Sequence, residues 1–164
     1  MRRTIAILLT ASLYAAPALA EAPRLALPFR PACVSSPFGE RAPGGGPRAS
    51  RFHTGTDLPA SAGTWVQAAA AGQVTFIRRL GAAGLEVEIR HAGGITTRYA
   101  HLGTVAPTLA SGRRVVAQGE RIGRIGRTGI TYGTHLHFEL LIDDVRQDAA
   151  PHLGVLPCRR QPAP

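Results

Sequence analysis

The sequence predicts a single all-β domain with an antiparallel sheet core and little helix. Its 164 residues, of which 45% are hydrophobic and 18% charged, suffice for one hydrophobic core and are too few for two. The 19 Gly and 13 Pro residues exceed average usage, which favours turns and short strands over long helices. The clearest local pattern is LEVEIR at 85–90, where apolar and charged residues alternate as in a half-buried antiparallel strand.

Seven short β-type runs make up most of the predicted domain, and Gly-containing turns separate most of them. They span 64–70, 72–79, 85–91, 95–100, 115–118, 121–125 and 135–142. A Gly- and Pro-rich stretch at 41–51 predicts a mobile loop ahead of them. Only 104–112 could hold a short helical turn, and the tail after residue 150 is expected to form an ordered strap up to Cys158.

Residues 1–20 have the pattern of a secretory signal peptide. Arg2 and Arg3 precede an apolar run at 5–16, and Ala18 and Ala20 give the small-x-small exit at which we expect cleavage. Such a run is shorter than the ~20 residues that cross a bilayer, so we expect no stable membrane insertion after cleavage. The remaining residues, 21–164, are predicted to form one domain with its core at about 33–158.

The charge of the chain indicates which classes of partner it can bind. The formal net charge is +9, and all 19 basic residues are Arg. They are scattered, and an aromatic content of 5% is too low for a base-stacking platform, so we predict no nucleic-acid partner. An exported basic protein would instead meet anionic envelope polymers or lipid head groups, and a merely soluble charged surface is the alternative.

Two cysteines, Cys33 and Cys158, bracket nearly the whole domain. In an oxidising compartment we expect a disulfide between them that ties the ends of the domain together, and two free thiols are the alternative.

A cluster of metal-ligand types stands out among the polar residues. In the last predicted strand, which begins HLHFE, His135, His137 and Glu139 share one face while apolar residues share the other. His53 and Asp57, four residues apart in HTGTD, supply a second imidazole and a carboxylate. These groups suit zinc, which binds imidazole nitrogen and carboxylate oxygen.

Several motifs in one order make the chain resemble a known family, the LytM/lysostaphin-type zinc metallopeptidases that cut peptidoglycan peptides. The resemblance covers most of the chain after residue 35. It rests on SPFGER at 36–41, HTGTDL at 53–58, AGQV at 71–74, YAHL at 99–102, VAQGE at 116–120, IG at 122–123, GRTG at 126–129 and GTHLHFE at 133–139.

The resemblance implies an antiparallel β core of the barrel-sandwich type, with loops walling a narrow groove. It implies that His53, Asp57 and His137 bind one zinc ion per chain, which leaves a position open for water. His101 and His135 would be the catalytic pair, and which of them takes the proton is left open. The implied reaction is hydrolysis of peptidoglycan cross-links or stem peptides by a metal-activated water.

Other residues have less specific expectations. Glu139 is expected to orient an imidazole, with direct catalysis and a purely structural place in the strand as alternatives. We expect Arg98 to be a solvated edge charge, with contact to substrate carboxylates as the alternative. We expect His91, in a Gly-flanked turn, to lie at the surface.

The function implied by the resemblance has two alternatives. One is a non-catalytic protein of the same fold that binds the wall or activates an amidase, and the other is a metal-stabilised structural module. Because a pure binder does not need His101, the peptidase is favoured. We expect a monomeric protein that acts on peptidoglycan peptides in the periplasm or outside the cell.

Overall fold

The computed structural model describes residues 23–41 and 50–159. The predicted signal peptide at 1–20 and most of the predicted loop, residues 42–49, lie outside the described residues. Within the described ranges, no helix has the length and apolar character needed to cross a membrane.

The described chain is built from strands, which confirms the predicted all-β class. They are β1 (Gly39–Glu40), β2 (Phe52–His53), β3 (Thr56–Pro59), β4 (Trp65–Gln67), β5 (Gly72–Leu80), β6 (Gly84–Arg90), β7 (Ile95–Val105), β8 (Val115–Val116), β9 (Arg121–Ile125), β10 (His135–Ile142) and β11 (Val145–Gln147). Each of the seven runs predicted from the sequence overlaps one of these strands, and β1, β2, β3 and β11 were not predicted.

One antiparallel sheet joins nine of the described strands. Its main path runs β11-β10-β7-β6-β5-β8, β3 pairs with β10, and β9 pairs with both β4 and β7. The strands β1 and β2 form a separate two-stranded ribbon. Because β7 pairs with β6, β9 and β10, it lies at the centre of the domain.

Two short helices complete the described chain. Helix α1 (Pro107–Ala110) lies in the segment predicted to hold a helical turn. Helix α2 (Ala149–Leu153) was not expected, so the prediction of a single helical turn is wrong. The side chain of Asp148 caps α2 by accepting from the Ala150 amide, and Gly154 ends it in the left-handed conformation.

The core follows the period-two pattern of the strands. In β10, Leu136, Phe138 and Leu140 are fully buried, as the alternation predicts. The ring of Phe138 packs edge-to-face on Tyr99 of β7, with centroids 5.2 Å apart. This layer fixes the opposite face of β10, on which the two histidines lie.

Strand β6 departs from the expected half-buried arrangement. Its two acidic residues, Glu86 and Glu88, are only 5% and 8% exposed. They are tolerated because each is paired: Glu86 with Arg78 across the β5–β6 hairpin, and Glu88 with Arg98 at 2.6 Å. The alternation of apolar and charged residues in β6 thus predicts its two faces correctly, but arginine side chains cover the charged face.

The predicted disulfide between Cys33 and Cys158 is present. It joins the C-terminal tail to the segment 33–41, which we call the N-terminal strap. Next to the disulfide, the Val34 amide donates to the Leu156 carbonyl oxygen and the Cys158 amide donates to the Val34 carbonyl oxygen, both at 2.9 Å. The strap therefore lies beside the tail in parallel register before it reaches the site.

Candidate metal centre and groove

Three segments distant in sequence place His53, Asp57 and His137 side by side. His53 ends β2, Asp57 lies in β3, and His137 lies opposite Asp57 in the β3–β10 pairing. Between β2 and β3, the backbone of Gly55 passes close under the His137 ring. A Cβ atom at Gly55 would lie 2.6 Å from the Phe138 carbonyl oxygen and 2.8 Å from the His137 ring, so no larger residue fits there without a shift.

The three side chains converge through one atom each. The His53 Nε2 atom lies 3.1 Å from Asp57 Oδ1 and 3.1 Å from His137 Nδ1, and Asp57 Oδ1 lies 2.9 Å from His137 Nδ1. These atoms form the group of potential metal-binding atoms found among the described residues. Two imidazole nitrogens and a carboxylate oxygen are a donor set that zinc takes in proteins.

Hydrogen bonds fix the tautomers of both imidazoles. His53 Nδ1 lies 2.7 Å from the carbonyl oxygen of Pro37, which can only accept, so the ring N–H is at Nδ1 and Nε2 carries a lone pair. His137 Nε2 lies 3.4 Å from Glu139 Oε1, so the carboxylate holds that N–H and leaves the lone pair on Nδ1. When both rings are neutral, both lone pairs face Asp57 Oδ1; when a ring is protonated, its second N–H donates to that oxygen.

This convergence of electron-rich atoms calls for a positive charge between them. Burial opposes ionisation of Asp57, but hydrogen bonds from His137 and His53 hold the pKa of its carboxyl group well below the usual range. Burial also opposes a charge on His137, yet its bonds to Asp57 and Glu139 raise its pKa to about 9. A proton on the inner nitrogens is one way to supply that charge, and a divalent cation bound by the same three atoms is another, for which the donor set matches zinc.

His101 enters the same site because β7 is bulged. Tyr99 pairs with Val87 and Leu102 pairs with Leu85, so β7 has one residue more than β6 between these two pairs. Tyr99 and Leu102 are therefore both buried in the core although three positions apart. His101 adopts a left-handed φ of 60°, a costly conformation for a non-glycine residue, and its side chain lines the groove instead.

The His101 ring is also held in one tautomer. Its Nδ1 lies 2.8 Å from the Thr128 carbonyl oxygen, so Nδ1 carries the N–H and Nε2 is an acceptor. Burial lowers the pKa of His101 to about 4, which keeps the ring neutral at pH 7. The ring is thus able to accept a proton.

His135 lies beside both the metal-ligand group and His101. Its ring centroid is 4.9 Å from that of His101, and its Nε2 is 3.5 Å from Asp57 Oδ1. Its Nδ1 lies 3.3 Å from Thr131 Oγ1. Burial lowers the pKa of His135, although the nearby Asp57 carboxylate acts in the opposite direction. The structure therefore brings all five sequence-predicted metal and catalytic residues into one cluster.

Glu139 is the centre of a buried charge network behind His137. Its Oε1 accepts from Thr54 Oγ1 at 2.6 Å, and its Oε2 accepts from Arg98 at 3.2 Å and from Arg146 at 3.3 Å. Although burial disfavours the charge, hydrogen bonds from His137 and Thr54 and the charge of Arg146 lower the pKa of Glu139 to about 2. Arg98 is accordingly not the solvated edge charge that the sequence predicts, because it bridges two buried carboxylates.

The histidines lie in a groove of about 820 Å³, a volume that suits a peptide-sized ligand. The N-terminal strap and residues 130–134 line it, which agrees with the expected loop-walled groove. The strap is built onto the site by backbone bonds: the Asp57 amide donates to the Ser36 carbonyl oxygen at 2.9 Å, and the Ser35 amide donates to the Asp57 carbonyl oxygen at 3.0 Å.

The N-terminal strap also supplies groups that the site prediction missed. The Pro37 carbonyl oxygen orients His53, and Arg41 lies 3.6 Å from Asp57 Oδ2. The SPFGER block at 36–41 carried the available signal, since it is part of the family resemblance. Sequence could not give the carbonyl contact, because every residue has a carbonyl and only the fold selects one.

His91 is not at the surface, contrary to the expectation. It is 6% exposed and belongs to a separate buried polar chain. Its Nδ1 donates to the Ala71 carbonyl oxygen at 2.9 Å, and its Nε2 lies 2.8 Å from Thr97 Oγ1, which contacts the Tyr99 hydroxyl at 3.0 Å. That hydroxyl accepts from the Ala69 amide at 2.8 Å. Burial lowers the pKa of His91, so the neutral ring fits this chain.

Comparison with known proteins gives a family match. Residues 51–149 match the family described as "Peptidase family M23". This range contains all five converging metal and catalytic candidates together with Glu139.

Relatives and solved structures agree with that match. The chain is 46% identical over 112 residues to the DD-carboxypeptidase/endopeptidase Mpg of Neisseria meningitidis, covering 67% of this chain and 24% of the relative. It is 39% identical over 90 residues to the peptidoglycan DD-endopeptidase ShyA of Vibrio cholerae, covering 55% and 20%. The chain thus spans about a quarter or less of these relatives. A zinc-containing peptidase from Vibrio cholerae superposes with a TM-score of 0.65 at 28% identity, covering 75% of this chain and 38% of that one.

Proposed function

The chain belongs to peptidase family M23, and from this we propose that it is a zinc-dependent endopeptidase that hydrolyses peptide cross-links or stem peptides of bacterial peptidoglycan. The observation that carries the proposal is the convergence of two imidazole lone pairs and one carboxylate oxygen in a groove that also holds two further histidines. The names of the meningococcal and Vibrio relatives, which describe enzymes acting on DD bonds, support the substrate.

The ligands in this proposal are His53, Asp57 and His137, and one zinc ion binds per chain. Zinc with three protein ligands acts as a Lewis acid toward water and toward a peptide carbonyl. The Pro37 carbonyl oxygen and the Glu139 carboxylate keep both imidazoles in the tautomer that ligation requires. Glu139 is therefore proposed to orient His137 rather than to contact substrate.

His101 is proposed to take the proton from the attacking water. Its Nε2 is an acceptor because Nδ1–H is held by the Thr128 carbonyl oxygen, and its lowered pKa keeps Nε2 unprotonated at pH 7. The same nitrogen can afterwards deliver the proton to the amine that leaves.

His135 is proposed to donate a hydrogen bond to the oxygen on which negative charge develops. It lies next to His101 and to Asp57. Because Thr131 Oγ1 donates to the Gly133 carbonyl oxygen, it accepts the N–H of His135 Nδ1, so the N–H at Nε2 that would face the reacting group belongs to the protonated ring. A non-catalytic wall-binding or amidase-activating protein would have no use for this pair beside the ligands, which favours the peptidase.

We further propose that the protein works outside the cytoplasm, in the periplasm or secreted, as a monomer. The disulfide Cys33–Cys158 supports this, because such bonds persist in oxidising compartments. The peptidoglycan substrate lies in the same place.

The proposal is tested with purified protein comprising residues 21–164. We expect about one zinc per chain by elemental analysis, and release of new amino termini from peptidoglycan sacculi that a chelator abolishes. His137→Ala is expected to lose both zinc and cleavage, whereas the matched variant His152→Ala, in the exposed part of α2, keeps both. Chelator-resistant cleavage, or full activity of His137→Ala, would contradict the proposal. Mass spectrometry of the digest identifies the bond that is cut.

A further inference from the structure

Among the described residues, two arginines line the groove. They differ in how far nearby carboxylates neutralise their charge. Arg98 donates from Nε to Glu88 at 2.6 Å and from Nη1 to Glu139 at 3.2 Å. Two carboxylates therefore neutralise this single guanidinium. It has no positive charge to spare for a ligand, and its place is structural.

Arg41 is in the opposite situation. In the described part of the chain, its guanidinium contacts Ser36 Oγ at 3.3 Å and Asp57 Oδ2 at 3.6 Å, both through Nη2. The carboxylate of Asp57 is shared with His53 and His137, so it compensates Arg41 only partly. The side chain is 26% exposed, and no residue within 23–41 or 50–159 bonds the N–H groups beyond Nη2, which could therefore meet a ligand in the groove.

The proposed substrate carries an anion where this guanidinium could meet it. A DD bond joins the carbonyl group of one D-centre to the nitrogen of a second D-centre. The carbon attached to that nitrogen bears its own carboxylate. This holds for a terminal D-alanine and equally for a diaminopimelate residue in a cross-link. The carboxylate therefore lies one carbon away from the nitrogen that leaves.

Resting on the proposed function, we propose that Arg41 is a specificity residue. It binds the free carboxylate on the residue that contributes the nitrogen of the scissile bond. Planar guanidinium groups bind carboxylates through two parallel hydrogen bonds, which suits them to this recognition. Arg41 lies beside the metal ligand Asp57, so a carboxylate bound to it is held next to the reacting centre. The other acidic groups in the groove do not prevent this, since Glu86 is paired with Arg78 and Glu40 is exposed to solvent.

The backbone and the side chain of Arg41 are both held in place. The Arg41 amide donates to the Arg51 carbonyl oxygen at 2.8 Å, just beyond the β1–β2 pairing. The residue is therefore fixed from both sides, by the two-stranded ribbon through its backbone and by Ser36 and Asp57 through its side chain. A positioned guanidinium loses less freedom when it binds than a free one does.

The experiment pairs two substrates with three enzymes. The substrates are cross-linked peptide dimers in which the diaminopimelate carboxylate next to the scissile nitrogen is either free or amidated. The enzymes are the zinc-loaded wild type, Arg41→Gln and the control Arg79→Gln, which removes an exposed arginine that is not among the residues lining the groove. We expect the wild type and Arg79→Gln to prefer the free acid about 10- to 100-fold in kcat/KM, and Arg41→Gln to lose this preference.

Each result decides the question. A free-acid preference that survives in Arg41→Gln, with both rates reduced in parallel, would show that Arg41 only supports Asp57 and would overturn the inference. A wild type that cleaves both dimers equally would overturn it as well. If Arg41→Gln does not fold, the wild-type preference should still shrink at high salt, because salt screens an ionic contact at a partly exposed group. A salt-independent preference would count against the inference.

Failure of the proposed function looks different. A zinc-loaded wild type that releases nothing from sacculi and cleaves neither dimer would contradict the peptidase itself. A wild type that digests sacculi but shows no preference between the two dimers would contradict only the role of Arg41.

Discussion

The rings of His53, His101 and His137 owe their chemical roles to hydrogen bonds on the nitrogen that faces away from the cluster. Two of these partners are backbone carbonyl oxygens, of Pro37 and Thr128, and one is the Glu139 carboxylate. Each partner removes an alternative tautomer. The nitrogen of each ring that faces the cluster is therefore kept as an acceptor by the hydrogen bond that the other nitrogen makes.

Replacing His101 tests its separation from the ligand group. Its ring centroid is 5.8 Å from that of His137, and none of its nitrogens belongs to the triangle of converging atoms. We expect His101→Ala to keep wild-type zinc content and to lose about 100- to 10,000-fold in turnover, the range for removal of a positioned base. Zinc content and peptide cleavage, measured on the same preparation, check this. Loss of zinc in parallel with activity would make His101 a ligand instead.

The sequence was most informative for residues that keep strand periodicity. The run HLHFE predicted which side of β10 carries His135, His137 and Glu139, and the structure shows the apolar residues between them buried. The environments of His91 and Arg98 were beyond prediction, because they depend on partners in other strands and segments. For His91 these are Ala71 and Thr97, and for Arg98 they are Glu88 and Glu139.

Strand β7 shows how one element delivers both core and site. Its bulge changes the face of the residues after Ala100, so Leu102 enters the core and His101 lines the groove. A regular strand would place Tyr99 and His101 on the same face. The run predicted at 95–100 ends where the bulge begins, because irregular pairing leaves no periodic signal in the sequence.

The shortest elements could not be predicted either. The two-residue strands β1 and β2 exist only through pairing with each other, and β3 exists through pairing with β10. Helix α2 was missed because Pro151 lies inside it, although a proline in the first turn of a helix costs no hydrogen bond. Its signals were the cap at Asp148 and the stop at Gly154.

The buried chain through His91 links β6, β7 and the segment before β5, and it predicts a pH effect on stability. Because burial lowers the pKa of His91, the unfolded state binds more protons than the folded state as the pH falls below about 6.5. We expect His91→Gln to lose about 1–3 kcal/mol at pH 7.5, where the native hydrogen bonds are intact.

At pH 5.5 the difference between wild type and His91→Gln should be smaller, because the wild type has then lost part of this contribution. Urea unfolding of both proteins in matched buffers at the two pH values measures it, and His152→Ala serves as a control for an exposed histidine. A difference that is equal at both pH values, or larger at pH 5.5, would contradict the assignment.

At the scale of the whole molecule, the disulfide connects stability to the site. It closes a loop with a sequence separation of 125 residues, and it anchors the N-terminal strap, which contacts Asp57 and His53 and contains Arg41. The double variant Cys33→Ser/Cys158→Ser should therefore lose about 4–5 kcal/mol of stability and bind zinc about 10-fold more weakly.

A matched variant separates the two effects. Leu109→Ala removes a buried side chain of α1, which is not among the residues lining the groove, and should cost about 2–5 kcal/mol while leaving zinc affinity unchanged. Chemical denaturation and competition with a zinc chelator give the two numbers. Unchanged zinc affinity in the double cysteine variant would show that the strap stays in place without its covalent anchor.

The same bond has a mechanical consequence. Cys33 and Cys158 lie near the two ends of the described domain, and their sulfur atoms are joined directly. A pulling force applied to chain outside this pair would run through the sulfur–sulfur link and bypass everything between residues 34 and 157. The sheet and its groove would then carry no tension, even when the flanking chain is stretched.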